Sequence, residues 1–173
     1  MDITLILVAI AGYFIGSISF ARVVARAVNP AADLNQARMK KAETGEEGTV
    51  SGIGASTASV ALGKKYGGIV ASLDIIKAFI PVLLLRLFFP DQVYHLVYSI
   101  LCILGHNYPI YYRFEGGRGL SPMLGSLLAV EPLGLIVCML LGTLIAILIN
   151  QPHTSLILWF PLLALWGWFV NNN

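Results

Sequence analysis

Residues 119–149 form a run of 31 residues with one charge, Glu131. As a single straight helix the run would measure about 46 Å, whereas the apolar core of a bilayer is about 30 Å thick. Glu131-Pro132 is the natural break, because proline removes a backbone donor and disfavours helix in the residue before it. The run is therefore expected to divide into a short segment at 119–130 and a full span at 133–149.

The rest of the chain extends this pattern. Residues 3–21 are uncharged and long enough to cross once. A second apolar run covers 68–89, interrupted by Asp74, Lys77 and Arg86, and a third covers about 93–112. After the polar turn at 150–153, a last span is expected at about 155–170. Hydrophobic residues make up 57% of the 173 and charged residues 12%, about half the charged share of a soluble domain. The expected fold is thus all-α: a polytopic helical membrane protein of about six membrane segments, with 119–130 the short one. Residues 1–173 are expected to form a single integral-membrane domain with a polar loop at about 22–67. The first run has no basic leader and no small-residue cleavage site, so it reads as a retained span. A net charge of +2 is too small to argue for nucleic acid. Cys102 and Cys138 lie in apolar runs and read as core residues.

Charge orients the spans. Nine of the eleven Lys and Arg residues fall in 22–67 and 113–118, and the turn at 90–92 has none. The positive-inside rule puts both basic stretches in the cytoplasm and the N-terminus outside. With the break at Pro132, the turn at 150–153 returns to the cytoplasmic side. Three polar loops then share one face.

Four groups of residues could carry chemistry there. In Leu104-Gly-His-Asn-Tyr-Pro109, His106 and Asn107 sit just inside an apolar span. They are followed by Gly116, Gly117, Arg118 and Gly119, where bare backbone and a planar cation could meet a phosphate. Arg118 fits a phosphate ligand or a headgroup anchor. The segment Thr49-Val-Ser-Gly-Ile-Gly-Ala-Ser-Thr57 could wrap an anion with backbone N–H groups and hydroxyls, or serve as a plain Gly/Ser linker. Thr154 and Ser155 could act at the site or cap the last helix. Asp74 and Lys77 lie three apart on one helix face, as an ion pair or as functional groups within the membrane. No Ser-His-Asp elbow, Walker loop or zinc-ligand spacing is present.

The order of these pieces resembles the membrane glycerol-3-phosphate acyltransferase family that uses acyl phosphate as donor. Gly16-Ser-Ile-Ser-Phe20 is similar to the Gly-Ser-Ile-Pro-Phe that ends the family's first span. Ser51-Gly-Ile-Gly-Ala-Ser-Thr57 with Leu62-Gly-Lys-Lys65 resembles its first motif. Asp74-Ile-Ile-Lys77 matches an Asp-x-x-Lys of its second span. Gly105-His-Asn-Tyr-Pro109 with Phe114-Glu-Gly-Gly-Arg-Gly119 resembles its second. The likeness covers about residues 10–155. It implies attack of the primary hydroxyl of glycerol 3-phosphate on the carbonyl of a fatty acyl phosphate, giving lysophosphatidic acid and inorganic phosphate, with no metal or cofactor. Arg118 and His106 take the catalytic positions. Ser51, Gly52, Gly54, Ser56, Thr57, Asn107, Gly116, Gly117, Gly119 and Thr154 take the substrate-binding ones. The implied location is the plasma membrane with the active-site loops cytoplasmic; the partners are the two substrates and the bilayer.

Departures from the family pattern mark a divergent member, C-terminally short because the chain stops at Asn173. Glu115 stands where the second motif has lysine, and Gln151 falls where the third has arginine. The competing readings are a non-catalytic membrane relative that binds lipid or a protein partner, and a small transporter. The transporter is disfavoured because the charges gather in loops at one face.

Overall fold

The short helix over 120–130 stops at Val130 and the next begins at Pro132, so the expected break is there. The structure, a computed structural model, describes residues 2–37, 52–151 and 154–171. Helices α1 (Ile3–Gly16), α2 (Phe20–Val28), α3 (Ala55–Leu62), α4 (Lys64–Phe88), α5 (Tyr94–Asn107), α6 (Leu120–Val130), α7 (Pro132–Leu148) and α8 (Ser155–Asn171) follow in order. A 3-10 turn occupies Ile110–Tyr112. No strand occurs among the described residues. Helix occupies most of each of the six expected apolar segments. The stretches Ile3–Val28 and Lys64–Phe88 are long and apolar enough to cross a membrane, while Leu120–Val130, Pro132–Leu148 and Ile157–Val170 are shorter.

The first span differs from expectation. It was read as continuous over 3–21, but the helix ends at Gly16 and restarts at Phe20. The linker Ser17-Ile-Ser19 leaves the Gly16 and Ile18 carbonyls to be satisfied from outside the helix, and Lys77 satisfies them. The stretch expected as a polar loop from residue 22 is also partly helical. In α2, Arg22 and Arg26 lie four apart on one face while Ala21 and Ala25 are buried, so the segment is amphipathic and not a loop.

The chain divides into two compact units, Met1–Ala129 and Val130–Asn173. In the first, α1 and α5 run parallel with their backbones in contact. A Cβ at Gly16 would lie 2.2 Å from the Cys102 carbonyl oxygen, and one at Gly105 would lie 2.2 Å from that of Tyr13. Small residues at the seam are how helices associate in lipid, where packing replaces the hydrophobic driving force. The pair is tied at both ends: the Tyr94 hydroxyl donates to Asp2 Oδ2 at the start, and the Tyr13 hydroxyl donates to the Tyr108 carbonyl, 2.9 Å, at the finish. The Tyr94 contact holds the Asp2 carboxyl below its ordinary value. Helix α4 runs against them and α6 accompanies it, with Gly125 against Ile75 and Arg86 Nη1 donating to the Ala129 carbonyl at 2.8 Å. Ala21, Ala25, Leu34, Ile53, Ala58 and Val70 form a small apolar cluster that seats α3 and the loop before it. Large aliphatics such as Leu7, Leu87 and Ile100 face outward while Ala, Gly and Ser fill the interior, the arrangement lipid selects.

The second unit is the hairpin of α7 and α8. Asn150, at φ 54°, turns the chain, and the Gln151 N–H reaches back to the Ala146 carbonyl at 2.8 Å, which closes the end of α7. Gly142 packs against Trp159, and Trp166 Nε1 donates to Glu131 Oε1 at 3.1 Å.

Candidate functional site

Four pieces of the first unit meet at the end of its helices. The segment 52–54 leads into α3. The loop 115–119 leads into α6. Their backbones join edge to edge through the Ile53 N–H, which donates to the Gly116 carbonyl at 2.7 Å. Side chains would not fit between them, since a Cβ at Gly52 would lie 2.9 Å from the Gly116 carbonyl oxygen. The loop 115–119 is fixed from behind by the Gly117 N–H, which donates to the His106 carbonyl at 3.0 Å. Gly119, at φ +77°, makes the turn into α6 that an L side chain would strain. Arg22, 4.5 Å above the Tyr112 ring, pins the adjoining turn to α2.

These pieces enclose a cavity of about 250 Å³ lined by Gly52, Gly54, Ser56, Asp74, His106, Gly117, Arg118, Gly119 and Ser121, with Ala55 and Leu120. Half of the residues expected to bind substrate, Gly52, Gly54, Ser56, Gly117 and Gly119, are thus brought together with both expected catalytic residues, Arg118 and His106. Asn107 and Gly116 stand behind the wall, and Asn107 Oδ1 is buried next to Gly119 without a hydrogen-bond partner. Thr57 is fully buried and its hydroxyl donates to the Gly52 carbonyl at 2.9 Å, so it shapes the loop. Thr154 belongs to the second unit, where its hydroxyl donates to the Gln151 carbonyl at 2.7 Å. Ser51 lies outside the described residues. Glu115, the acid in place of a motif lysine, is exposed and does not line the cavity.

Behind the cavity is a cluster that sequence spacing only half revealed. Asp74 and Lys77 form the expected i, i+3 pair, Nζ to Oδ1 2.7 Å, and His106 joins it from 29 residues away, with Nδ1 3.0 Å from Lys77 Nζ and 3.3 Å from Asp74 Oδ1. Their exposures are 1%, 7% and 8%. Lys77 Nζ also donates to the Gly16 and Ile18 carbonyls, each at 3.0 Å. Burying two charges costs several kcal/mol per ion before pairing is counted, so so many partners around one ammonium offset a large penalty. The pair itself is neutral, which leaves Arg118 to supply the net positive charge among the lining residues.

Fold and site together define a class: a helical integral membrane protein with a small glycine-walled, cation-bearing cavity at one end of its helices. The chain belongs to the glycerol-3-phosphate acyltransferase family, whose profile matches residues 6–172. A glycerol-3-phosphate acyltransferase of Aquifex aeolicus is 36% identical over 121 residues, 69% of this chain and 56% of the relative. One of Mycoplasma mycoides subsp. mycoides SC is 31% identical over 95% of this chain and 67% of its own length. Among solved structures, the glycerol 3-phosphate form of PlsY (YgiH), an integral membrane glycerol 3-phosphate acyltransferase, superposes with a TM-score of 0.73 at 30% identity, covering 94% of this chain and 78% of that one. Its lysophosphatidic acid form gives 0.62 at 27% identity. The chain spans a little over half the length of several of the curated relatives it matches.

Proposed function

We propose that this protein transfers a fatty acyl group from acyl phosphate to the primary hydroxyl of glycerol 3-phosphate, yielding lysophosphatidic acid and inorganic phosphate. The observation that carries the reading is the convergence of Gly52, Gly54, Gly117 and Gly119 with Ser56, Ser121, Arg118 and His106 on one cavity in a membrane-embedded unit. Bare glycine backbone admits phosphate oxygens closely, hydroxyls donate to them, and the Arg118 fork pairs with them. The relatives' name and the two forms of PlsY support glycerol 3-phosphate as acceptor and lysophosphatidic acid as product.

In the reaction the hydroxyl oxygen forms the ester bond to the acyl carbon, the bond from that carbon to the phosphate oxygen breaks, and the departing phosphate takes up the hydroxyl proton. Positioning and cationic stabilisation of the phosphates and of the developing oxyanion supply the rate enhancement. Arg118 and His106 act on the charged groups. Gly52, Gly54, Gly117, Gly119 and Ser56 cradle them, with Gly116, Asn107 and Thr57 holding the walls. Leu120 and the apolar outer faces of the helices offer the acyl chain a path into lipid. The chain sits in the plasma membrane as one domain with the N-terminus outside, so that the cavity opens to the cytoplasm, where glycerol 3-phosphate is soluble. The arginines of α2 and the 113–118 loop gather at the cavity end of the first unit, in keeping with that orientation.

Release of inorganic phosphate by purified protein given palmitoyl phosphate, with and without glycerol 3-phosphate, tests the proposal. Acceptor-dependent release is expected. A stable folded protein that releases none would replace the enzyme with a non-catalytic relative that binds lipid.

A further inference from the structure

Lys77 has more acceptors than protons. An ammonium carries three N–H bonds, and three oxygen acceptors and one ring nitrogen lie within 3.0 Å: the Gly16 and Ile18 carbonyls, Asp74 Oδ1 and His106 Nδ1. The two carbonyls can only accept, so they take two of the three. Asp74 Oδ1, at 2.7 Å, makes no hydrogen bond here, so its attraction to the ammonium is electrostatic. The third N–H therefore points at His106 Nδ1. A proton on Nδ1 would set two donors against each other at 3.0 Å, and its only acceptor there, Asp74 Oδ1, is farther away at 3.3 Å.

We propose that Lys77 is a positioning residue that locks the His106 ring in its Nε2–H tautomer, so that His106 offers the cavity a hydrogen-bond donor and not a base. Nε2 is the atom on the cavity side: a Cβ at Gly117 would lie 2.0 Å from it, and both residues line the cavity. The groups facing the ring are Asp74 and Lys77 from α4 and Gly117 from the loop before α6, with Arg118 lining the same cavity. Arg118 cannot accept a proton, and Asp74 is engaged by Lys77, so none of them takes the place of a base. The ligand recognised at Nε2 is an anionic oxygen, of a phosphate or of the developing oxyanion. The break after Gly16 acquires a purpose in this arrangement, since its two carbonyls hold the ammonium at the orientation that aims its third proton. The activity arm of the test rests on the acyltransferase reading; the spectroscopic arm does not.

The experiment is ¹⁵N NMR of histidine-labelled protein in detergent at neutral pH, with His106 assigned by its loss in His106→Gln. Wild-type protein is expected to show the Nε2–H pattern at His106. The Nδ1–H pattern would overturn the proposal without any variant. In Lys77→Met the ring is expected to switch toward Nδ1–H, donating to Asp74. An unchanged tautomer in that folded variant would also overturn it, and if the variant does not fold the wild-type spectrum decides alone. In turnover, His106→Gln keeps an N–H near the Nε2 position and is expected to lose no more than about tenfold, whereas His106→Leu loses about a hundredfold or more. Equal losses would identify a base and sink the donor role. A wild-type protein with the Nε2–H pattern and no turnover would refute the acyltransferase reading and leave the tautomer lock intact.

Discussion

The two units of this chain solve burial in lipid differently. Each of the buried polar or charged residues identified, from Ser17 through Asp74, Lys77 and His106 to Ser126, belongs to the first unit. In the second, the buried ones among the described residues are Gly134, Leu135, Cys138, Gly142, Ala146 and Trp159, and the hairpin closes around an aromatic ring against a glycine. Buried polar groups need partners, and each one left without costs stability, whereas an apolar interior only has to fit. Chemistry is therefore expected where the wiring is, and the second unit is expected to tolerate change that the first does not.

Asp74→Leu should break this contrast most severely. It strands the Lys77 ammonium in an apolar span, a loss of about 3–5 kcal/mol for one partner of a buried pair. Thermal unfolding in detergent measures it, and a variant as stable as the parent would show that the cluster does not hold the unit together. Arg118→Ala comes next. It is expected to leave folding alone and lower acceptor-dependent phosphate release by about 100–1000-fold, the usual cost of removing one anion-stabilising donor. Unchanged affinity for glycerol 3-phosphate in that variant would move the anion elsewhere. Trp166→Phe in the second unit removes the bond to Glu131 and should cost about 1–3 kcal/mol of stability, with turnover retained in the folded fraction. Loss of turnover at unchanged stability would end the division of labour between the units. The smallest effect concerns Asp2. Its carboxyl is held below the ordinary 3.8 chiefly by the Tyr94 hydroxyl, so this contact stabilises the α1–α5 pair above that pH and is lost as pH falls through the lowered value. The midpoint difference between the parent and Tyr94→Phe should shrink on acidification below about pH 4; a constant difference would assign it to packing alone.

The sequence made some of this legible and hid the rest for physical reasons. Pro132 announced its break because proline acts locally, and α6 and α7 fall within a residue of the expected limits. The break at Ser17–Ser19 left no mark in local propensity, because Ser-Ile-Ser continues an uncharged stretch; only the resemblance of Gly16–Phe20 to the end of the family's first span pointed to it, and the lysine that satisfies its carbonyls lies elsewhere in the chain. Asp74 and Lys77 could be paired by helical spacing. Their third partner could not, since nothing in 29 residues of intervening sequence says which helices touch. Glu115 looked like a damaged motif, but backbone placement carries it to the exposed side of its loop. Thr57 looked like a ligand because hydroxyls in a Gly-rich segment serve loops and anions equally well, and only the fold distinguishes them.

The break after Gly16 also bears on the order of assembly. Lys77 is 61 residues downstream of the carbonyl it grips, so the first span leaves the ribosome well before its partner exists. Carbonyls without donors are costly in hydrocarbon, and a span entering alone is driven to satisfy them within its own helix. The bend is thus a late event, installed when α4 arrives and its ammonium exchanges water for peptide oxygen. Insertion of α4 and bending of the first span become one step, and the cavity is completed only when His106 and the 115–119 loop follow.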